Sequence, residues 1–294
     1  MNLVVGATGL LGGEICRQLT HRGEPTRALV RRTSNPVKVN QLRGLGAELV
    51  HGDLKDRASL DAACHRVDAV ISTASSTLAR QEGDSIASVD RDGQLALVDA
   101  AAAAGVKRFI LISFPEIAVE FPLQSAKRAV EARLRQSGMA YTVLRPTMFA
   151  EVWLSPMLGF DLPNATVRIY GDGENRISWI SLRDVARFAV AALDNPEANH
   201  AVIKLGGPEA LSPMDVVRLA ERTIGRSIDV QRVPERALRD QFRTAPDALQ
   251  QSFAALMLSY AAGEVIDMTE TLHCFPGAPL RSVQDYLEDL QVSI

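Results

Sequence analysis

A chain of 294 residues, 47% hydrophobic and 23% charged, is long enough for one large α/β domain, alone or with a smaller appendage. Its net charge of −3 gives no broad basic field for holding nucleic acid, and it has no apolar run of the roughly 18 residues that a membrane span requires. Its three cysteines, Cys16, Cys64 and Cys274, lie far apart without disulfide or zinc-ligand spacing, and Met1 leads into a strand with no signal-peptide arrangement. The sequence therefore predicts a soluble, cytoplasmic protein without a metal site.

The stretch from Asn2 to Leu19 reads as strand, glycine turn and helix. Leu3, Val4 and Val5 make the short apolar run of a buried parallel strand, and Leu11, Ile15 and Leu19 recur four apart on one helical face. Between them Gly6, Gly9 and Gly12 form a G-x-x-G-x-x-G spacing. Small residues are needed there if a dinucleotide binds, because the turn is tight, the backbone must approach a pyrophosphate, and the helix must pack on its strand. The helix N-terminus then offers unpaired N–H groups to the anion.

Thr26 to Val30 is a second strand, ending at Arg31 and Arg32. In the NAD-type pattern a carboxylate about 20 residues beyond the glycines bonds the ribose 2′-OH, whereas a 2′-phosphate is better held by arginine. With two arginines and no acid at that position, the expected cofactor is NADP(H), with NAD(H) disfavoured. The alternative is a pair of solvated arginines at a strand end.

Pro36 to Leu45 is a predicted helix and Ala47 to Val50 a third strand, running into Gly52, Asp53 and Leu54. Asp53 either contacts a nucleotide or caps the helix beginning near Asp56. A fourth strand, Ala69 to Ser72, runs into the small residues Thr73, Ala74, Ser75 and Ser76, which leave room for a ligand at a strand's carboxyl end. A long helix from Ser85 to Ala104 follows, then a fifth strand from Phe109 to Ile112 ending at Ser113. The next helix, Leu123 to Gln136, places Ala126, Val130 and Leu134 on one face, and a sixth strand runs from Tyr141 to Leu144. Unbroken alternation of this kind predicts a parallel sheet covered on both faces.

After Pro146 the rhythm changes. Thr147 to Ala165 is loop-rich and apolar, and its segment from Phe149 to Phe160 suits an enclosure over a substrate. Val167 to Tyr170 and Ala201 to Leu205 read as strands, and Ser181 with Asp184 resembles a capping box opening a helix through Leu193. Ser212, Pro213 and Asp215 open another helix with Gly225 near its end, and the remainder reads as mainly helical. The predicted fold is α/β, a Rossmann-type doubly wound parallel sheet over residues 1–150. A smaller C-terminal α+β substrate subdomain, residues 151–294, is interleaved with it rather than flexibly linked.

GATGLLGG at Gly6 to Gly13, LVRR at Leu29 to Arg32, GDL at Gly52 to Leu54, SAKRAVEARLRQSGMAYTVLRPTMF at Ser125 to Phe149 and GDGENRISWISLRDVA at Gly171 to Ala186 together resemble the NmrA-like branch of the atypical short-chain dehydrogenase/reductases. The resemblance implies NAD(P) binding on a Rossmann fold, with activities from NADPH reduction of quinones and dyes to redox-sensing regulation. It matches Gly6, Thr8, Gly9, Leu10, Leu11 and Gly12 to the pyrophosphate loop, Arg31 and Arg32 to the 2′-phosphate site, and Asp53 and Leu54 to adenine contacts. Thr73, Ala74 and Ser75 match the loop under the ribose. Ser113 joins the cofactor contacts, and Lys127, Pro146, Thr147 and Phe149 match the nicotinamide end. Lys127 is the one expected catalytic residue, although Glu131 stands four residues on and could make it an ordinary surface pair.

The chain departs from the wider superfamily at Leu123, where a Tyr-x-x-x-Lys pair would put its phenolic proton donor. Two functions follow: an NADPH-dependent reductase of a small aromatic or quinone-like acceptor, or a non-catalytic NADP(H)-binding sensor. A nucleotide-sugar epimerase or dehydratase is a weaker third, because such enzymes keep the tyrosine. The expected partner is a small-molecule acceptor, with neither nucleic acid nor membrane; no motif encodes the oligomeric state.

Overall fold

A computed structural model of the chain describes residues 1–277 and 279–292. Its contacts divide the chain into two compact units: Met1–Ser113, Pro122–Arg145 and Val185–Ile203 form the first, and Phe114–Phe121, Pro146–Asp184 and Lys204–Ile294 the second. Residues 185–203, C-terminal to Pro146, thus belong with the N-terminal elements.

In chain order the elements are β1 (Asn2–Val5), α1 (Leu10–His21), β2 (Thr26–Val30), α2 (Pro36–Gly44), β3 (Glu48–His51), α3 (Arg57–Cys64) and β4 (Ala69–Ser72). A π-helix, Ile86–Gly93, runs into α4 (Gln94–Ala103), followed by β5 (Arg108–Ile112), α5 (Pro122–Arg135) and β6 (Ala140–Pro146). Then come α6 (Ala150–Trp153), β7 (Phe160–Asp161), β8 (Thr166–Tyr170), α7 (Leu182–Ala191) and β9 (Ala201–Leu205). The chain continues through α8 (Pro213–Ile224), β10 (Asp229–Val233), α9 (Glu235–Thr244), α10 (Ala248–Ala262), α11 (Thr269–Cys274) and α12 (Val283–Val292). Among the described residues no helix is long and apolar enough to cross a membrane.

The main sheet has the order β3-β2-β1-β4-β5-β6-β9. Strands β1 to β6 pair in parallel, in registers such as Val5↔Leu29, Val5↔Ser72 and Ile112↔Leu144. The order reverses between β1 and β4, the topological switch at which open α/β sheets bind ligands beyond their strand ends. The short apolar runs of β1 and β4 are buried along their whole length, as a parallel strand between helices requires. Leu3, Leu97, Phe109, Leu111, Val130 and Leu134 are buried in its core. Each contributes on the order of 1.5–3 kcal/mol through burial.

The second unit has its own core, built on Leu154, Ile169, Trp179, Val216, Tyr260 and Leu287, and a three-stranded sheet ordered β10-β8-β7. Helix α8 opens at Ser212, Pro213 and Asp215 as expected, and the structure adds a capping box there: the Ser212 hydroxyl accepts from Asp215 N and the Asp215 carboxylate accepts from Ser212 N, both at 3.0 Å. It closes at Gly225 in the left-handed conformation, φ 70°.

Two predicted elements differ from the structure. The continuous α-helix expected over Ser85–Ala104 begins as the π-helix, eight residues long. Strand β10, within the remainder that reads as mainly helical, pairs in parallel with β8. Its sequence, Asp-Val-Gln-Arg-Val, has no apolar run to announce a strand, so neighbouring backbone decides its state.

Candidate functional site

The glycine turn follows directly from β1. Gly6 takes φ +88°, and a Cβ there would stand 2.6 Å from Thr73 Oγ1 and 2.8 Å from Ala74 N. Gly9 is the N-cap of α1 and, lacking a side chain, leaves the first N–H groups of the helix without a side-chain cap. Gly9 N donates to Gly6 O at 2.9 Å. A Cβ on Gly12 would overlap the Gly6 carbonyl, 2.7 Å from its carbon. The turn therefore brings β1, α1 and the loop after β4 as close as backbone permits, which is the geometry a pyrophosphate cradle needs. Leu10 is exposed and Leu11 half-buried beside it.

The loop from Thr73 to Ser76 is pinned from behind by two buried side chains of the next helix. Gln94 accepts from Ser72 Oγ at 2.8 Å and donates to Ala74 O at 2.9 Å, and Asp90 Oδ2 accepts from Ser76 N at 3.0 Å and Ser76 Oγ at 2.6 Å. Sequence reasoning missed both. Thr73 Oγ1 donates to Val5 O at 3.2 Å, and the Ser75 hydroxyl meets that of Thr77 at 3.2 Å.

At the end of β2 the two arginines differ. Arg31 Nη1 donates to Asp84 Oδ2 at 2.6 Å, and Lys55 Nζ donates to the other oxygen of the same carboxylate at 2.6 Å. Burial would raise the Asp84 carboxyl, but the bonds from Lys55, Arg31 and the Gln81 N–H outweigh it and pull it down to about 2. Arg32 is exposed and, among the described residues, has no charged partner. Asp53 is not the cap of α3: Asp56 is, accepting from Ala58 N at 3.1 Å, while Asp53 Oδ1 turns to Lys55 N at 2.9 Å. Leu54 is buried in the core, its Cβ lying where a Cβ on Gly93 would collide.

Lys127 lies on α5, 5% exposed, so the surface-pair alternative fails. Glu131, 1% exposed, is instead committed to arginines. Its Oε1 accepts from Ser113 Oγ at 2.7 Å and from Arg128 Nη1, and its Oε2 from Arg145 Nη2 at 2.5 Å. Burial would raise its carboxyl, yet Arg145, Ser113 and Arg128 hold it below the ordinary glutamate range. Lys127 Nζ donates to Ile112 O at 3.4 Å and stands 3.9 Å from Asp90 Oδ1.

Pro146, Thr147 and Phe149 belong to the second unit. There Thr147 is buried, its hydroxyl donating to Ser178 O and its amide to Leu205 O at 2.9 Å. Phe149 is half-buried and bridges Ile180. Of the apolar segment expected to enclose a substrate, Trp153 stacks on Tyr260 with centroids 5.4 Å apart and Phe160 is buried in the core, leaving Met157 exposed. The first unit thus gathers Gly6, Gly9, Gly12, Thr73 and Ala74 around one turn, and Ser113 and Lys127 around one buried charge cluster.

A glycine turn opening a helix beside the switch point of a parallel sheet defines a Rossmann-type protein. The sequence matches the model of the NmrA-like family over residues 2–274, and the chain belongs to that family. It is 32% identical to the photosystem II assembly factor Ycf39 of Trieres chinensis, over 79% of this chain and 72% of that protein. It is 31% identical to the (4-alkanoyl-5-oxo-2,5-dihydrofuran-3-yl)methyl phosphate reductase of Streptomyces griseus, over 97% and 96% of the two chains. Among solved structures, it is similar in fold to the NADPH-dependent quinone oxidoreductase QOR2 of Escherichia coli complexed with NADPH, with a TM-score of 0.79, 22% identity and coverage of 99% and 100%.

Two outcomes test this geometry. Gly12→Val places a side chain against backbone that cannot give way, so it is expected to unfold the chain or cost several kcal/mol, roughly 3 or more, by denaturant titration. Glu131→Gln leaves Arg145 and Arg128 facing a neutral group. It is expected to cost about 2–3 kcal/mol, below the 3–5 of a fully buried pair because both arginines keep some exposure. Since Glu131 is held below its unfolded value, its contribution is present above about pH 4.3 and lost as pH falls through the folded value; the variant should lose that part of the acid dependence.

Proposed function

We propose that this protein is an NADPH-dependent reductase that delivers hydride to a small aromatic or quinone-like acceptor. The observation that carries the reading is a buried lysine, Lys127, at the carboxyl end of β5 in the same unit as the glycine turn. Gly6, Thr8, Gly9, Leu10, Leu11 and Gly12 would hold the pyrophosphate and Arg31 and Arg32 the 2′-phosphate. Asp53 and Leu54 would border the adenine, and Thr73, Ala74 and Ser75 the ribose. Ser113 and Lys127 would serve the nicotinamide end. Bound there, the reduced nicotinamide supplies the hydride. Lys127 places a positive charge where negative charge develops on the acceptor. Leu123 offers no proton, so the reading favours acceptors whose product charge is delocalised or is protonated by water.

A second reading, a non-catalytic NADP(H)-binding regulator, is supported by Leu123 and by the similarity to an assembly factor. Assaying NADPH oxidation by the purified protein against a panel of quinones and dyes separates the two. Turnover supports the reductase, and saturable NADPH binding without any turnover supports the regulator.

Cofactor choice has its own test. Replacing Arg31 and Arg32 together with alanine is expected to weaken NADPH binding by about tenfold or more and leave NADH nearly unchanged, measured by calorimetry. Equal losses for both cofactors would remove the 2′-phosphate assignment.

A further inference from the structure

Asp90 is a fully buried carboxylate that no sequence motif marked, and its two oxygens are used unequally. Oδ2 accepts from both Ser76 N and Ser76 Oγ, whereas Oδ1 is buried with no hydrogen-bond partner among the described residues. The group nearest in charge is Lys127 Nζ, 3.9 Å away, itself almost fully buried. An unpaired carboxylate with 0% exposure is costly, and so is an unpaired ammonium; facing each other they offset that cost. Glu131 also favours the Lys127 charge but less than Asp90 does, because both of its oxygens are already engaged by Ser113 and arginines. The π-helix supplies the placement: its wide turn carries an aspartate inward between the loop after β4 and α5, at the kind of irregularity that clusters at functional positions.

We infer that Asp90 is a positioning residue, the counter-charge that keeps the Lys127 ammonium protonated and aimed, so that Lys127 acts as a fixed cation and not as a proton-accepting base. The charged groups around Lys127 are Asp90 from the π-helix and Glu131 and Arg128 from its own helix. From β5 come the carbonyl of Ile112 and, just beyond it, the Ser113 hydroxyl; β6 contributes Arg145, by way of Glu131. Burial draws the Lys127 ammonium below the ordinary lysine range, Asp90 is the foremost group opposing that, and Glu131 follows while Arg128 adds to the lowering. Removing the charge of Asp90 therefore leaves burial and Arg128 opposed by Glu131 alone.

The consequence for chemistry rests on the reductase reading; the charge pairing does not. The test is an NMR titration of protein labelled at lysine Cε, without cofactor, with the Lys127 signal identified by its loss in Lys127→Arg. Asp90→Asn keeps an acceptor for Ser76 but no charge, and it is expected to lower the apparent pKa of Lys127 by about one unit or more. Ser76→Ala removes a hydrogen bond but no charge and should leave the titration unmoved. If the protein is active, the basic limb of its pH–rate profile should move down in Asp90→Asn, and Asp90→Glu should restore part of the shift.

An unchanged Lys127 titration in Asp90→Asn, or an equal shift in Ser76→Ala, overturns the inference. Should Asp90→Asn not fold, a stability cycle decides. Lys127→Met strands the Asp90 charge, so the double variant Asp90→Asn/Lys127→Met should be more stable than Lys127→Met alone, and a double variant that is no more stable overturns the pairing. Neither the titration nor the stability cycle needs turnover, so a protein that oxidises no NADPH defeats the reductase reading and leaves the pairing to be judged by itself.

Discussion

The contact on which the first unit depends is the approach of α1 to the carbonyl of Gly6. There is no room at Gly12 for even one carbon beyond the backbone, and Gly6 itself turns with a positive φ against Thr73 and Ala74. Helix, strand end and neighbouring loop are thereby held at main-chain distance from one another. Everything else at the carboxyl ends of the strands is arranged around that turn. Gln94 and Asp90 brace the loop from behind, and Asp84 ties the ends of β2 and β3 to the segment before the π-helix.

The first unit contains three carboxylates removed from water, and each is satisfied differently. Asp84 takes a charged donor on each oxygen, and Glu131 is surrounded by arginines and a serine. Asp90 divides its oxygens between a backbone-and-hydroxyl clamp and an ammonium just beyond hydrogen-bond reach. In the first two, each oxygen accepts from at least one donor. The third retains capacity, and retained capacity in a dry interior is uncommon unless something else draws on it.

Much of the frame was legible because it rests on local rules. The apolar run of β1, the glycine spacing, the small residues after β4 and the Ser212-Pro213-Asp215 opening of α8 each state their structure within a few residues. The site's charges were not legible, because their partners are remote in sequence. Nothing near Arg31 announces that Asp84 will occupy it, and an aspartate within a helix reads as solvated until a π-turn carries it inward, as at Asp90. The four-residue spacing of Lys127 and Glu131 suggested a surface pair, but burial and Arg145 redirected Glu131. Strand β10 was missed for a related reason, since its state is imposed by pairing with β8 and not by its own pattern.

The outermost strands have a bearing on how the protein behaves in a crowded solution. β3, at one edge of the main sheet, begins with exposed Glu48 held by Arg27 at 2.8 Å and ends with exposed His51. β9 at the other edge exposes Lys204, and β10, one of the two outer strands of the smaller sheet, exposes Asp229, Gln231 and Arg232. An approaching strand from a second molecule would have to strip water from a charge on each of these edges before it gained a ladder of hydrogen bonds. Charges on a sheet edge oppose edge-to-edge pairing with another chain, a device that matters in a sequence with 47% hydrophobic residues.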